Sequence, residues 1–370
     1  MDRRTFIQAT AGITVVSAAP GMWSRPVFAA SVGELAVAAK AAGQTKVVLS
    51  IGGGTFIDVV KDVFFDPFTK ETGIEAVFVT SGDYSSVPAQ VRAMSEAKAM
   101  EWDIISTTYD SVRAPEFANY VEDMGDCSEL SNVVSEGVEG SCLGNSVLMT
   151  LGGSVLTYNT QEFPNGMKNW VDFWDVKTFP GPRTLPNNGS PWYVLSAALV
   201  ADGVPADKVY PLDLDRAFKK LDELKPHIVA WWVSGDQSQQ LFRSKEVVAG
   251  MIWNGRAAGL RSEGAPVTFV WIGAVFNADT LSITKGAPHP IAAKALLNYF
   301  YTRPEAHAEF VKRMNYVSPN KHVGEFLEAR VASDIVSAPQ NWPTLIRADP
   351  VWVAENRQKV IERWTAWVSA

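Results

Sequence analysis

The chain has little of what most reaction chemistry requires. Only four histidines occur among 370 residues, His227, His289, His307 and His322, and they are scattered. Two adjoin prolines and two sit in polar helix or loop contexts, so all four read as ordinary surface histidines rather than a metal set, which needs clustered ligands. There is no His-Glu-x-x-His, no Gly-x-Ser-x-Gly and no Walker loop. Those absences remove the commonest signatures of zinc hydrolases, serine hydrolases and phosphate-loop NTPases. No nucleophile–base pair stands out either, so the chain reads as no enzyme, with no cofactor and no metal; a periplasmic hydrolase or lyase is the rival of another class. Positive charge is short as well: 33 Lys and Arg face 40 Asp and Glu, a net −7. Residues 1–29 carry +2 (Arg3, Arg4 and Arg25 against Asp2), which leaves −9 for the remainder. Such a surface argues against nucleic acid, which needs basic patches.

Long apolar runs are missing too. After residue 29 no stretch approaches the roughly 18 uninterrupted apolar residues of a membrane span, so no membrane insertion is expected. Residues 1–29 themselves read as an export signal: Arg3-Arg4 precedes Thr5-Phe6-Ile7, a weakly apolar stretch follows, and Val27-Phe28-Ala29 offers small residues for cleavage. The paired arginines favour the twin-arginine route over a Sec signal. No cysteine lies near the cleavage point, so no lipid anchor is expected, and the exported chain belongs in the periplasm. Only Cys127 and Cys142 are present. An oxidising compartment favours their pairing over two buried free thiols. The loop so closed is worth roughly 3 kcal/mol in the chain-entropy model.

What is present is an alternation of strand-like and helical runs. Residues 46–51 read as a strand, 56–72 as a helix, 75–79 as a strand, 87–100 as a helix and 102–106 as a strand. This βαβαβ opening predicts a parallel sheet with crossover helices. Further strands are expected at 155–158, 247–253, 267–272 and 280–283. Helices are expected at 192–201, 213–224, 290–301 and 304–314, and a helix or turn at 170–174. A C-terminal amphipathic helix over 350–368 carries Trp352, Trp364 and Trp367, which should pack it onto the body. Gly52-Gly53-Gly54 follows the first strand and opens a helix, a tight turn that also lets backbone N–H groups approach an anion. It is no dinucleotide fingerprint, because position 57 is Ile.

Several short stretches, in order and with consistent spacing, resemble the periplasmic binding proteins of the spermidine/putrescine type within the extracellular solute-binding family. They are Phe68-Thr69-Lys70-Glu71-Thr72-Gly73-Ile74, Trp102-Asp103-Ile104-Ile105, Trp253-Asn254-Gly255, Phe276-Asn277-Ala278-Asp279-Thr280-Leu281-Ser282-Ile283 and Asn315-Tyr316-Val317-Ser318-Pro319-Asn320. The resemblance implies an α/β fold of two hinge-linked lobes with an interlobe ligand cleft. Lobe one would comprise 45–152 plus 280–345, lobe two 153–277, and a C-terminal helix 346–370 would pack on the body. It also implies a small solute as ligand, an inner-membrane ABC permease with its ATPase as partner, and a monomer.

Carried over residue by residue, Asp279 matches the acid that grips an amine, and Trp253 and Tyr316 match aromatic cleft walls. The departures are informative. The acid positions at the start of a lobe-two helix appear here as Ser190 and Tyr193. A family tryptophan is Asn277, and the residue after Trp253-Asn254-Gly255 is Arg256. The cleft thus exchanges acids for a cation. At 4 Å and an effective dielectric of 20, an ammonium beside Arg256 meets repulsion of order 4 kcal/mol, whereas an acid there makes a charge-assisted pair. The expectation is a compact zwitterion such as 4-aminobutyrate, its acid on Arg256 and its amine on Asp279. An aminophosphonate or betaine places an acid similarly, and an unusual polyamine binder or a sensory binding protein is the alternative within the class. The competing reading for Arg256 is a salt bridge to Asp279 that shapes the cleft, or an exposed place on a lobe-two helix; the ligand role is favoured because clefts concentrate paired charges. Further cleft candidates are Phe276 beside the hinge, Gly54, Thr55 and Phe56 after the first strand, Thr108 and Asp110 after the third, Trp192 and Tyr193, and Ser234 with Gln237. For most of these an ordinary loop or core role competes.

Overall fold

The structure, a computed structural model, describes residues 30–80 and 86–370. The export-signal reading falls on residues 1–29, outside the described residues.

Eight strands form one sheet: β1 (Lys46–Ile51), β2 (Glu75–Thr80), β3 (Ile104–Thr108), β4 (Val147–Asn159), β5 (Arg183–Pro186), β6 (Ile228–Trp232), β7 (Ala249–Trp253) and β8 (Val267–Ile283). Their spatial order is β2-β1-β3-β8-β4-β7-β5-β6. β1 pairs in parallel with β2 and β3, as the βαβαβ opening predicts. β5 likewise pairs in parallel with β6 and β7. Between these two parallel sets lie the antiparallel strands β4 and β8, which join them.

The two ends of the sheet carry separate cores, so the molecule has two lobes. In lobe one, Val47, Leu49 and Ile51 of β1 pack with Phe64, Phe65 and Phe68 and with Leu296, Phe300 and Phe310 of the helices Pro290–Phe300 and Pro304–Met314. In lobe two, Trp170, Phe173, Leu199 and Phe218 form the core, and the C-terminal helix Pro350–Ser369 adds Val353, Val360 and Trp364 to it. That helix starts where Asp349 accepts hydrogen bonds from the N–H groups of Val351 and Trp352, with Pro350 in the first turn. Apolar residues of 317–345, among them Val317, Ile335, Val336 and Leu345, pack with Trp271 and Ala274 of β8.

Two sequence expectations need correction. The strand expected at 155–158 is the last third of a 13-residue strand, and those expected at 267–272 and 280–283 are one 17-residue strand. Gly273, at φ +74°, and polar Asn277 break the apolar pattern without breaking the strand. The β4–β8 ladder absorbs the irregularity through a register shift between Ser154 and Leu156. The second correction concerns the histidines. His307 is fully buried. It lies one turn before Phe310 and Val311 on the same helix, so its ring falls on the apolar face, 4.7 Å from the Phe64 ring and 5.1 Å from Phe300. Its Nε2 lies 2.6 Å from the Phe300 carbonyl and its Nδ1 contacts Ser318. Burial holds its pKa down at about 4. His289 is partly buried, its Nδ1 2.9 Å from Asp103 Oδ2. Cys127 and Cys142 are joined in a disulfide. Among the described residues no helix is long and apolar enough to cross a membrane.

Candidate functional site

Parallel strands deliver their following loops to one edge of a sheet, and ligands in open α/β sheets sit beyond those carboxyl ends. Both parallel sets here do so toward a common cleft. Phe56 follows β1 and Thr108 ends β3, on the lobe-one side. Asn188, Ser190 and Tyr193 follow β5, and Trp253 and Arg256 end or follow β7, on the lobe-two side. Asn277 and Asp279 of β8 form the floor with Tyr316.

Arg256 sits in the first turn of the helix Asn254–Ser262 and is only 5% exposed. The helix start is fixed by Asn254, whose Nδ2 donates to the Asn315 carbonyl at 2.6 Å and whose Oδ1 accepts from Gly153 N at 2.9 Å. The guanidinium pairs with Asp236 rather than Asp279: Nη1 donates to Asp236 Oδ1 at 3.0 Å. Nη2 crosses to lobe one and donates to the Gly53 carbonyl at 3.2 Å. Nε is buried and has no hydrogen-bond partner among the described residues. Asp236 closes over the glycine turn so tightly that a Cβ at Gly54 would lie 2.0 Å from its Oδ1, and Gly54 holds φ +65°. Only glycine fits both conditions.

Asp279 lies across the ladder from both Thr108 and Thr150. Its Oδ2 accepts from Thr150 Oγ1 at 3.1 Å. Burial pushes its pKa up to about 6, against the Thr150 hydrogen bond and the positive charge of Arg256, which both favour the carboxylate. The cleft therefore holds one fixed cation and one acid whose charge is under-compensated.

Aromatic rings wall the space between. Tyr316 is 6% exposed and meets Phe56 edge to face, centroids 6.1 Å apart. Its ring lies where a Cβ at Gly255 would be, 2.4 Å from Tyr316 Cε2, so glycine after Trp253-Asn254 is a packing requirement. Trp253 meets Trp232 edge to face at 5.0 Å while facing the cleft.

Of the candidates read from the sequence, Arg256, Asp279, Trp253, Tyr316, Tyr193, Phe56 and Thr108 converge on this cleft. Seven lie elsewhere among the described contacts, Asp110 and Gln237 included. Phe276 stacks on Trp342, centroids 5.6 Å apart. Trp192 is fully buried and donates from Nε1 to Asp110. Gly54 precedes the helix Thr55–Val60, with Thr55 exposed at its start. Ser234 caps the helix Gly235–Arg243 by accepting from Gln237 N at 3.2 Å. Sequence reasoning missed Asn188 and saw Ser190 and Asn277 only as positions that had lost family residues. The place of Asn188 and Ser190 after β5, a short strand not expected from the sequence, was the missing signal, whereas Asn277 lies on β8.

Comparisons with known proteins agree with this architecture. Residues 64–340 match the family model described as a bacterial extracellular solute-binding protein. The gamma-aminobutyric acid-binding protein of Pseudomonas aeruginosa is 28% identical over 349 residues, covering 90% of this chain and 94% of that one. The spermidine/putrescine-binding periplasmic protein of Escherichia coli is 25% identical over 319 residues, covering 84% and 88%. A solved GABA receptor structure superposes with a TM-score of 0.75 at 33% identity, covering 87% of this chain and 97% of that one. With its matching sequence model and its two-lobed sheet, the chain belongs to the bacterial extracellular solute-binding protein family.

Proposed function

We propose that this protein is the periplasmic substrate-binding component of an ABC importer and that it captures a small zwitterion with one amine and one acid group, such as 4-aminobutyrate. The observation that carries this reading is that Arg256 and Asp279 line one aromatic-walled cleft. Arg256 receives the ligand's acid, and Asp279 receives its ammonium. Trp253 and Tyr316 enclose the chain between them, and Phe56, Thr108 and Tyr193 complete the walls. A bound zwitterion contacts both lobes, so it favours the closed arrangement. The division into lobe one (45–152 plus 280–345) and lobe two (153–277) belongs to the same reading. No chemistry on the ligand is involved, and the loaded monomer hands its solute to the permease. Two relatives named for gamma-aminobutyric acid support the ligand class.

The polyamine reading is supported by relatives named for spermidine and putrescine, the Escherichia coli protein among them. It places an ammonium near Arg256, which the cleft's charge opposes. A thermal-shift panel on ligand-stripped protein separates the two, using 4-aminobutyrate, other ω-amino acids, 2-aminoethylphosphonate, betaines, putrescine and spermidine. A ligand at 100 times its Kd adds about 2.7 kcal/mol and raises Tm by several degrees. Shifts with zwitterions support the proposal. Shifts confined to polyamines reject it.

A further inference from the structure

A second interlobe cluster lies behind the cleft. Asp110 follows β3 in the helix Tyr109–Val112 of lobe one and is 5% exposed. Its Oδ2 accepts two hydrogen bonds, from Trp192 Nε1 at 2.8 Å and from Tyr193 Oη at 2.8 Å. Both donors open the lobe-two helix Trp192–Ala201. A third group arrives from the C-terminal helix, which is anchored in the lobe-two core. Arg357 lays its guanidinium over the Trp192 ring, 5.0 Å from the centroid, and its charge faces Asp110 and Glu116 of lobe one. Its Nη1 is buried and has no hydrogen-bond partner among the described residues.

A carboxylate buried at an interface costs several kcal/mol unless it is paired and hydrogen-bonded. Here every stabilising group shown belongs to the opposite lobe. Parting the lobes breaks all of these contacts and returns Asp110 to water. The cluster is therefore a property of the closed arrangement, and it grips Tyr193, a wall of the ligand cleft.

We propose that Asp110, held by Trp192, Tyr193 and Arg357, is a closure latch: a positioning residue that sets ligand affinity by favouring lobe closure and by fixing the Tyr193 ring, without contacting ligand. This rests on the cleft being the ligand site. Burial raises the Asp110 pKa, and the two donors and Arg357 offset part of that rise. A ligand then adds its contacts to an equilibrium already biased toward closure.

The test combines calorimetric titration with 4-aminobutyrate and small-angle X-ray scattering of the ligand-free protein. Asp110→Ala is expected to weaken binding about tenfold or more and to enlarge the ligand-free radius of gyration. Asp110→Asn keeps an acceptor and should recover part of the affinity. Trp192→Phe should weaken binding less than Asp110→Ala, and the double variant should be no weaker than Asp110→Ala alone, because the two residues form one contact. A merely structural role lowers Tm without changing the scattering and gives additive losses. Affinity within about twofold of wild type for Asp110→Ala, with unchanged scattering, overturns the latch. If the wild type binds no zwitterion, the ligand reading fails separately, and scattering decides: a larger Asp110→Ala particle supports the latch and an unchanged one rejects it.

Discussion

Asp279 and Asp110 are two acids set near the same interlobe gap; burial raises the pKa of both, and they differ in how many partners the protein gives them. Asp110 is met by an indole N–H, a phenol O–H and a guanidinium, all from the other lobe. Asp279 receives one hydroxyl from the adjacent strand and a partial benefit from Arg256, and its pKa stands at about 6. The first carboxylate is satisfied by the fold. The second is left with capacity for an ammonium. The same contrast separates two arginines. Arg183, fully buried, donates to the carbonyls of Phe173, Gly181 and Phe179 and lies within lobe two. Arg256 divides itself between Asp236 and Gly53 across the cleft. Burial alone does not mark a binding residue; what matters is how much of the group's hydrogen-bonding capacity the protein itself fills, and among the described residues the Arg256 Nε finds no partner.

The largest expected effect comes from the cation. Arg256→Ala should lower affinity for 4-aminobutyrate about 100-fold or more in a calorimetric titration, since it removes a charge-assisted pair in a dry site. Binding that survives intact breaks the distinction between the two arginines. Asp279→Asn comes next, with a loss of roughly 10- to 50-fold for amine-bearing ligands. The pH dependence follows from the same acid. An ammonium needs the ionised carboxylate, and the ligand-free pKa is raised to about 6. Affinity should therefore be constant above pH 7 and fall as pH drops through 6, by up to about tenfold per unit. A titration series from pH 8 to 5 in one ionic strength reads this directly. An unchanged Kd at pH 5 means that Asp279 does not face the amine. Asn188→Ala should cost a few-fold, on the order of one neutral hydrogen bond. Phe276→Leu, remote from the cleft, should stay within about twofold; a larger loss moves the cleft boundary toward the hinge.

Much of the site is legible in the chain itself. Arg256, Asp279, Trp253 and Tyr316 are legible because each lies in or beside a stretch that resembles the family, at a strand end, on a hinge strand or in a late loop. The parallel opening over β1–β3 is legible because alternating apolar strands and helices have few topological solutions. Asn188 is not legible, since β5 is four residues long and carries no periodic signal. His307 is partly legible: it shares a helix face with Phe310 and Val311, but a histidine among charged neighbours reads as exposed. The continuity of β8 is hidden because Gly273 and Asn277 look like chain breaks, and only pairing along β4 carries the strand through them.

By itself the sequence determined the strand-and-helix order, the absence of common catalytic motifs, and the exchange of cleft acids for Arg256. The first two are local properties written in composition and spacing, and the third is read through the resemblance to the polyamine binders. The tertiary structure alone decided which partner each charge takes. Arg256 pairs with Asp236, not Asp279, because the helix Gly235–Arg243 sets its capping turn over the glycine loop. Asp110 meets Trp192 and Tyr193 across 82 and 83 residues of chain. Such pairings are set by how two lobes meet, and no local pattern in the chain encodes the distance between them.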